Sequence, residues 1–163
     1  MRSLRVIMLS MLLFLIASEK ETGFPPFALE DVDGRLVKSS ELIGQGPTFI
    51  SFWATWCKPC LKELDEIEKL YRTYKDSGFV VIAVNEDGVR TRHQLQAFVK
   101  NRGYTFNILW DKGGALKKQA AVAELPTSFI LDKNGKIVYR HTGYKAGDEK
   151  ELKNRILELI EKK

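Results

Sequence analysis

Apolar residues along the chain alternate between the spacing of a β-strand and that of an α-helix. Residues 48–53 form an apolar and β-branched run, which is typical of a strand buried on both faces. Beyond Cys60, apolar residues recur three or four positions apart as far as Tyr74, with Lys and Glu between them. This spacing predicts an amphipathic helix directly after the buried strand.

The rest of the chain continues this alternation. Two dipeptides with strong turn preference, Asp33-Gly34 and Asn134-Gly135, predict β-hairpins. Further strands are predicted at 27–30, 35–37, 79–84, 106–110, 128–132 and 137–140, and further helices at 39–42, 92–101, 116–122 and from 148 onward. Strands separated by helices, followed by a hairpin and a closing helix, predict an α/β domain with a mixed sheet and helices on both faces.

The first residues have the three parts of a secretory signal: a positive start, an apolar run over 6–17 and small residues after it. Twelve helical residues span about 18 Å, short of the roughly 30 Å core of a bilayer, which favours a cleaved signal. A cut near Ala17 or Ser18 would, however, leave a bulky residue where a small one is preferred. Residues 1–20 are therefore expected to be a signal peptide or an N-terminal membrane anchor.

Either alternative predicts export of the remaining chain. We expect residues 24–163 to form one domain in the periplasm or at the outer face of the cytoplasmic membrane. In the anchored alternative, residues 4–18 would hold it to the membrane.

Composition narrows the function classes. The chain has 163 residues, 44% of them hydrophobic and 29% charged, which excludes disorder, collagen and a multispanning membrane protein. The net charge of +5 is mild, and charges of both signs alternate along the sequence. Because a nucleic-acid-binding surface needs a basic stripe, no nucleic-acid partner is expected.

The two cysteines of the chain, Cys57 and Cys60, stand where the buried strand meets the helix. A separation of three residues at a helix start places both sulfurs on one side of the turn. The helix dipole and free N–H groups favour a thiolate at Cys57 and lower a thiol pKa from about 8.5 toward roughly 3.5–7.5. Cys57 is the expected nucleophile and Cys60 the resolving thiol. Lys58 adds a cation beside Cys57, and Pro59 suits the first helical turn.

Other uses of a cysteine pair stay open at this point. A zinc site would need two more ligands, and the histidines, His93 and His141, are expected to be surface residues. Two thiolates are suitable ligands for copper(I). Nearby methionines would support such a site, but the three methionines all lie within the first 11 residues. An inert disulfide that closes so short a loop would restrain the unfolded chain little.

The segment 52–60, Phe-Trp-Ala-Thr-Trp-Cys-Lys-Pro-Cys, together with Leu125-Pro126-Thr127 before another strand, resembles the thioredoxin superfamily. It is most similar to the TlpA/ResA group of exported thiol-disulfide oxidoreductases. The resemblance runs from Phe24 to the C-terminus. It implies a thioredoxin-like fold with an N-terminal hairpin and a helix–strand insertion between residues 85 and 110.

The resemblance also implies site residues. Pro126 would be in the cis form beside the cysteines, so that its neighbour's backbone can pair with a substrate strand, with Thr127 supporting this loop. Trp56 would border the site. Ser51 stands where thioredoxin proper has a buried aspartate that relays protons. Some members carry a glutamate near the cysteines, for which Glu86 is the nearest candidate.

The resemblance implies a monomeric reductant of exported proteins that contain disulfides. Apocytochrome c is one such client, and a membrane electron donor would recharge the enzyme. No cofactor is expected beyond the redox-active Cys57–Cys60 pair. Two alternatives remain: a copper(I)-binding or thiol adaptor module without turnover, and a peroxidase of the same superfamily, which would carry its reactive cysteine in a different motif.

Overall fold

The computed structural model describes residues 23–88 and 91–162. The signal or anchor predicted for residues 1–20 lies outside these ranges. Within them, no helix combines the length and the apolar character needed to cross a bilayer.

One seven-stranded sheet forms the centre of the domain, with strand order β2-β1-β5-β4-β3-β6-β7. The strands are β1 (Ala28–Asp31), β2 (Leu36–Lys38), β3 (Thr48–Trp53), β4 (Val80–Asn85), β5 (Asn107–Trp110), β6 (Thr127–Leu131) and β7 (Ile137–Thr142). Strands β3, β4 and β5 are parallel, whereas the outer pairings are antiparallel. The mixed sheet predicted from the sequence is therefore confirmed.

Five α-helices connect and cover the strands in the described part of the chain. They are α1 (Ser39–Leu42), α2 (Lys58–Tyr74), α3 (Arg92–Arg102), α4 (Ala115–Gln119) and α5 (Asp148–Glu161), with a 3-10 turn at Lys75–Ser77. Gly78 ends this turn with a φ of 87°, a left-handed conformation that glycine adopts without steric cost.

Each face of the sheet has its own apolar core. The face that carries Phe49 and Trp53 packs against α2, α3 and α5 through Leu64, Leu95 and Ile156. The N-terminal segment and α4 cover the opposite face. The core on this face includes Phe24, Phe27, Ile50, Phe52, Leu116 and Phe129. Burial on both faces explains why β3 is mostly apolar, with Thr48 and Ser51 as its polar members.

The predicted elements all exist, with ends displaced by at most a few residues. The helix predicted at 116–122 ends at Gln119. Cys57, expected within the first turn of α2, is its N-cap instead. The polar spacing had placed Glu63 outside, between apolar positions of α2, but its side chain is fully buried. His141, expected at the surface, is partly buried and hydrogen-bonded, whereas His93 is exposed.

Candidate redox site

Cys57 and Cys60 form a disulfide at the N-terminus of α2. Cys57 caps the helix: its Sγ accepts a hydrogen bond from the backbone N–H of Cys60, 3.3 Å away, and its carbonyl accepts one from Leu61. Pro59 lies in the first turn, where its missing N–H leaves no helical hydrogen bond unmade. The helix N-terminus thus directs free N–H groups and positive potential at the sulfur of Cys57.

The two cysteines differ in exposure. Cys57 retains 5% exposure, whereas Cys60 is completely buried. Trp56, Lys58 and Pro59 are all exposed around Cys57, and the Trp56 side chain is 69% accessible. Cys57 is therefore the more exposed of the two cysteines, and its role as the attacking thiol stays a prediction.

The loop before Cys57 is tied to the neighbouring strand by Asp87, a residue that the sequence prediction missed. The Asp87 carboxylate accepts hydrogen bonds from the Thr55 backbone at 3.1 Å and from the Asn85 side chain at 3.0 Å. Its backbone carbonyl accepts another from the Trp110 indole. Because β4 runs parallel to β3, their carboxyl ends meet, and this adjacency was the available signal.

The predicted proline loop lies beside the same end of β3. The Leu125–Pro126 peptide bond is cis, as the resemblance implies. Thr127 pairs with Phe52 in the sheet, which brings Pro126 level with the end of β3, and its hydroxyl donates to the Glu124 carbonyl at 2.7 Å. Leu125 packs against the core that includes both cysteines.

Glu63 is a buried acid on the same helix as Cys60, three residues further on. Its Oε2 accepts a hydrogen bond from the Ser51 hydroxyl, and Ser128 on β6 also interacts with the carboxyl. Within the described residues, Glu63 Oε1 and Ser128 Oγ have no partner of good hydrogen-bond geometry. Burial raises the pKa of Glu63 to about 7, so the carboxyl can hold or release a proton near neutral pH.

Glu86, the carboxylate suggested by the resemblance, follows β4, and its backbone N–H donates to the Trp53 carbonyl. Its side chain lies with Asp111 and Lys117. Burial, with the Asp111 charge as the next cause, raises the pKa of Glu86 to about 8. Its carboxyl thus belongs to a polar cluster at the start of α4, and the sequence did not single out the buried acids Glu63 and Asp87.

The described residues contain no group of three or more His, Cys, Asp or Glu side chains that could hold a metal ion. Cys57 and Cys60, once reduced, are the soft donors that this site offers. The arrangement is suited to two-electron exchange between a dithiol and a disulfide.

Comparisons with known proteins agree with this chemistry. Residues 21–140 match the AhpC/TSA family. The chain is 37% identical over 127 residues to the thiol-disulfide oxidoreductase ResA of Bacillus thuringiensis, an alignment that covers 78% of this chain and 72% of that protein. The ResA of Halalkalibacterium halodurans is also 37% identical, over 134 residues that cover 82% of this chain and 73% of that protein.

A solved structure extends the similarity to the fold. The crystal structure of a Chlorobium tepidum protein, assigned as the thiol:disulfide interchange protein DsbE, superposes with a TM-score of 0.79 at 32% identity. The match covers 87% of this chain and 98% of that protein. The chain is thus a thioredoxin-like thiol-disulfide oxidoreductase that acts on proteins containing disulfides, and it belongs to the AhpC/TSA family, among ResA-like members.

Proposed function

We propose that this protein is an exported protein-disulfide reductase, in which Cys57 attacks the client and Cys60 resolves the intermediate. The observation that carries the proposal is the disulfide at the N-terminus of α2, in which Cys57 is the more exposed cysteine and the fully buried Cys60 precedes the buried acid Glu63 by three residues. The supporting residues proposed around the disulfide are Trp56, Lys58, Leu125, Pro126 and Thr127. The proposed reaction uses no cofactor besides the disulfide itself.

The reaction begins with the reduced pair. The Cys57 thiolate attacks one sulfur of the client disulfide, forming a mixed disulfide and releasing one client thiolate. Cys60 then transfers its proton to the Glu63 carboxylate and attacks Cys57 Sγ, which releases the second client thiolate. The client gains two electrons and, with one proton from Glu63 and one from solvent, two protons. A dithiol electron donor at the membrane returns the Cys57–Cys60 disulfide to the dithiol.

The charge near the pair supports the reducing direction. A stable thiolate stabilises the reduced form and makes an oxidant, whereas a carboxylate close to the pair disfavours the thiolate. Glu63 lies on the cysteine-bearing helix with its carboxyl inside the protein, where little water screens its charge. This negative charge opposes the stabilisation that the helix N-terminus gives to Cys57.

Export and the identity of the client are further parts of the proposal. The apolar segment within residues 1–20 supports a location outside the cytoplasm, either cleaved or anchored through residues 4–18. Apocytochrome c is the proposed client because its haem-attachment motif, Cys-x-x-Cys-His, must be reduced before haem is bound. Peptides carrying this motif as a disulfide should be reduced faster than insulin.

The midpoint potential of the Cys57–Cys60 pair tests the direction. Thiol trapping in glutathione and dithiothreitol buffers should give a value near or below about −250 mV, in the range of reductants. A value near about −120 mV would identify an oxidant and overturn the proposal. Stoichiometric copper(I) binding by a protein that reduces neither insulin nor the haem-motif peptide would instead identify a binding module.

A further inference from the structure

A row of polar side chains crosses three neighbouring strands on the face of the sheet that α2 covers. Ser51 on β3 pairs with Ser128 on β6, and Ser128 pairs with His141 on β7. Directly paired residues of antiparallel strands project to the same face, with Cβ atoms about 4.5–5.5 Å apart. The row therefore leads from the residue that binds Glu63 to a histidine at the edge of the sheet.

The outer end of this row carries a hydrogen-bonded pair of titratable side chains. His141 Nε2 lies 3.1 Å from Asp148 Oδ2, and the two side chains are 22% and 16% exposed. Asp148 is the first residue of α5, and its Oδ2 also accepts the Lys145 backbone N–H at 3.0 Å. This backbone hydrogen bond, followed by His141, holds the pKa of Asp148 below its usual value. The helix N-terminus favours the same charged form.

The Asp148 charge acts on Glu63 through the protein interior. Helices α2 and α5 pack on the same face of the sheet, where Leu64 and Leu152 belong to one core. The negative charge of Asp148 disfavours ionisation of Glu63, adding to the larger effect of burial. Because Glu63 is fully buried and the Asp148 side chain is only 16% exposed, this interaction is less screened than one between surface charges.

Other polar and ionisable groups face the two ends of the row from every packed element. Near Glu63 they are Ser51 of β3, Ser128 of β6, Cys60 of α2 and Tyr144 of the β7–α5 loop. Near His141 and Asp148 they are Tyr139 of β7, Lys145 of the loop, and Glu151 and Arg155 of α5.

We propose that the His141–Asp148 pair is a positioning device for Glu63. It fixes a carboxylate at the outer end of the Ser51–Ser128–His141 row and thereby sets the pH range in which Glu63 exchanges its proton with Cys60. This inference rests on the proton-accepting role proposed for Glu63. His141 and Asp148 act through Glu63 and touch neither sulfur in the reaction.

The test follows the titration of Glu63 directly, by ¹³C NMR of the full-length oxidised protein labelled at glutamate. Asp148→Asn should lower the midpoint of the Glu63 titration by about 0.5–1 pH unit, because a negative charge has been removed. His141→Asn should raise it, because the hydrogen bond between His141 and Asp148 no longer offsets the Asp148 charge. The matched control is Glu158→Gln, which removes an exposed carboxylate from the same helix and should leave the midpoint unchanged.

A merely structural role for the pair would not give shifts of opposite sign. Midpoints that stay unchanged in both variants, or that move in the same direction, would overturn the inference. If Asp148→Asn does not fold, the upward shift in His141→Asn decides alone.

A second readout separates this inference from the role of Glu63 itself. The rate at which the reduced protein forms its Cys57–Cys60 disulfide with cystamine is measured against pH in the same variants and in Glu63→Gln. Rate profiles should follow the NMR midpoints. If Glu63→Gln leaves the profile unchanged, the proposed role of Glu63 fails and takes the inference with it. A profile that depends on Glu63 together with unmoved midpoints overturns the inference alone.

Discussion

Ser51 donates a 2.5 Å hydrogen bond to the buried carboxyl of Glu63, linking the central strand to the helix that carries both cysteines. By the resemblance, Ser51 stands where thioredoxin proper has a buried aspartate. The acid is present, but it comes from α2 and uses the Ser51 hydroxyl as its partner. A buried carboxyl thus lies at a different position in the chain, and we propose it as the proton acceptor for Cys60.

The cysteine variants should separate attack from resolution. Cys60→Ser should accumulate a covalent mixed disulfide with an oxidised client, because Cys57 can still attack but no thiol resolves the product. Cys57→Ser should form no such adduct and lose reductase activity. Non-reducing electrophoresis with mass spectrometry measures the adduct. An adduct in Cys57→Ser but not in Cys60→Ser would reverse the two roles.

Glu63→Gln should stabilise the protein at alkaline pH. The folded-state pKa of Glu63, about 7, lies above its usual value of 4.5, so the folded state binds more protons than the unfolded state between these two pH values. The free energy of unfolding of the native sequence therefore falls as pH rises through this window. Glutamine lacks the charge, and the variant should exceed the native protein by up to about 3 kcal/mol at pH 8, with little difference near pH 4.

Denaturant unfolding of the oxidised proteins at the two pH values measures this difference. The matched control is Glu66→Gln on the same helix, where Glu66 is only partly buried. Its free energy of unfolding relative to the native protein should not show a comparable change between the two pH values. Equal gaps between Glu63→Gln and the native protein at both pH values would contradict the raised pKa.

Asp87→Ala should loosen the active-site loop. The substitution removes the acceptor for the Thr55 backbone N–H and the Asn85 side chain, both buried, and should lower the free energy of unfolding by about 1–3 kcal/mol. Hydrogen exchange at Thr55 should accelerate. The exposed Asp76→Ala serves as control and should change stability by less than about 0.5 kcal/mol. Unchanged exchange at Thr55 would show that Asp87 does not anchor the loop.

Trp56→Ala should weaken reaction with protein clients without affecting the fold. Because the side chain is 69% exposed, its loss should change stability by less than about 0.5 kcal/mol. The KM for a protein disulfide should rise, while the rate with cystamine, which is too small to span the tryptophan, stays the same. The control is Leu36→Ala on the edge strand β2, where Leu36 is 61% exposed. It should alter neither the KM for a protein disulfide nor the rate with cystamine. A normal KM in Trp56→Ala would exclude Trp56 from client binding.

Local sequence patterns were enough to predict the helices and strands of this protein and its reactive cysteine pair. The apolar run of β3, the helical spacing after Cys60 and the turn dipeptides depend on local periodicity, and the structure reproduces them with small shifts at their ends. Helix ends moved because capping depends on side-chain geometry, as at Cys57. The cis form of the Leu125–Pro126 bond followed from the resemblance, since local sequence does not distinguish the two isomers.

Which polar residues become buried near the Cys57–Cys60 pair depends on the tertiary structure. The spacing of apolar residues assigns Glu63 to the polar face of α2. Its side chain is nevertheless buried, because Ser51 and Ser128 supply polar groups on the sheet beneath it. Asp87 and His141 likewise acquire their roles from strands adjacent in space rather than in sequence. A periodic pattern reports which side of an element faces inward on average, whereas the environment of one carboxyl depends on residues far apart in the chain.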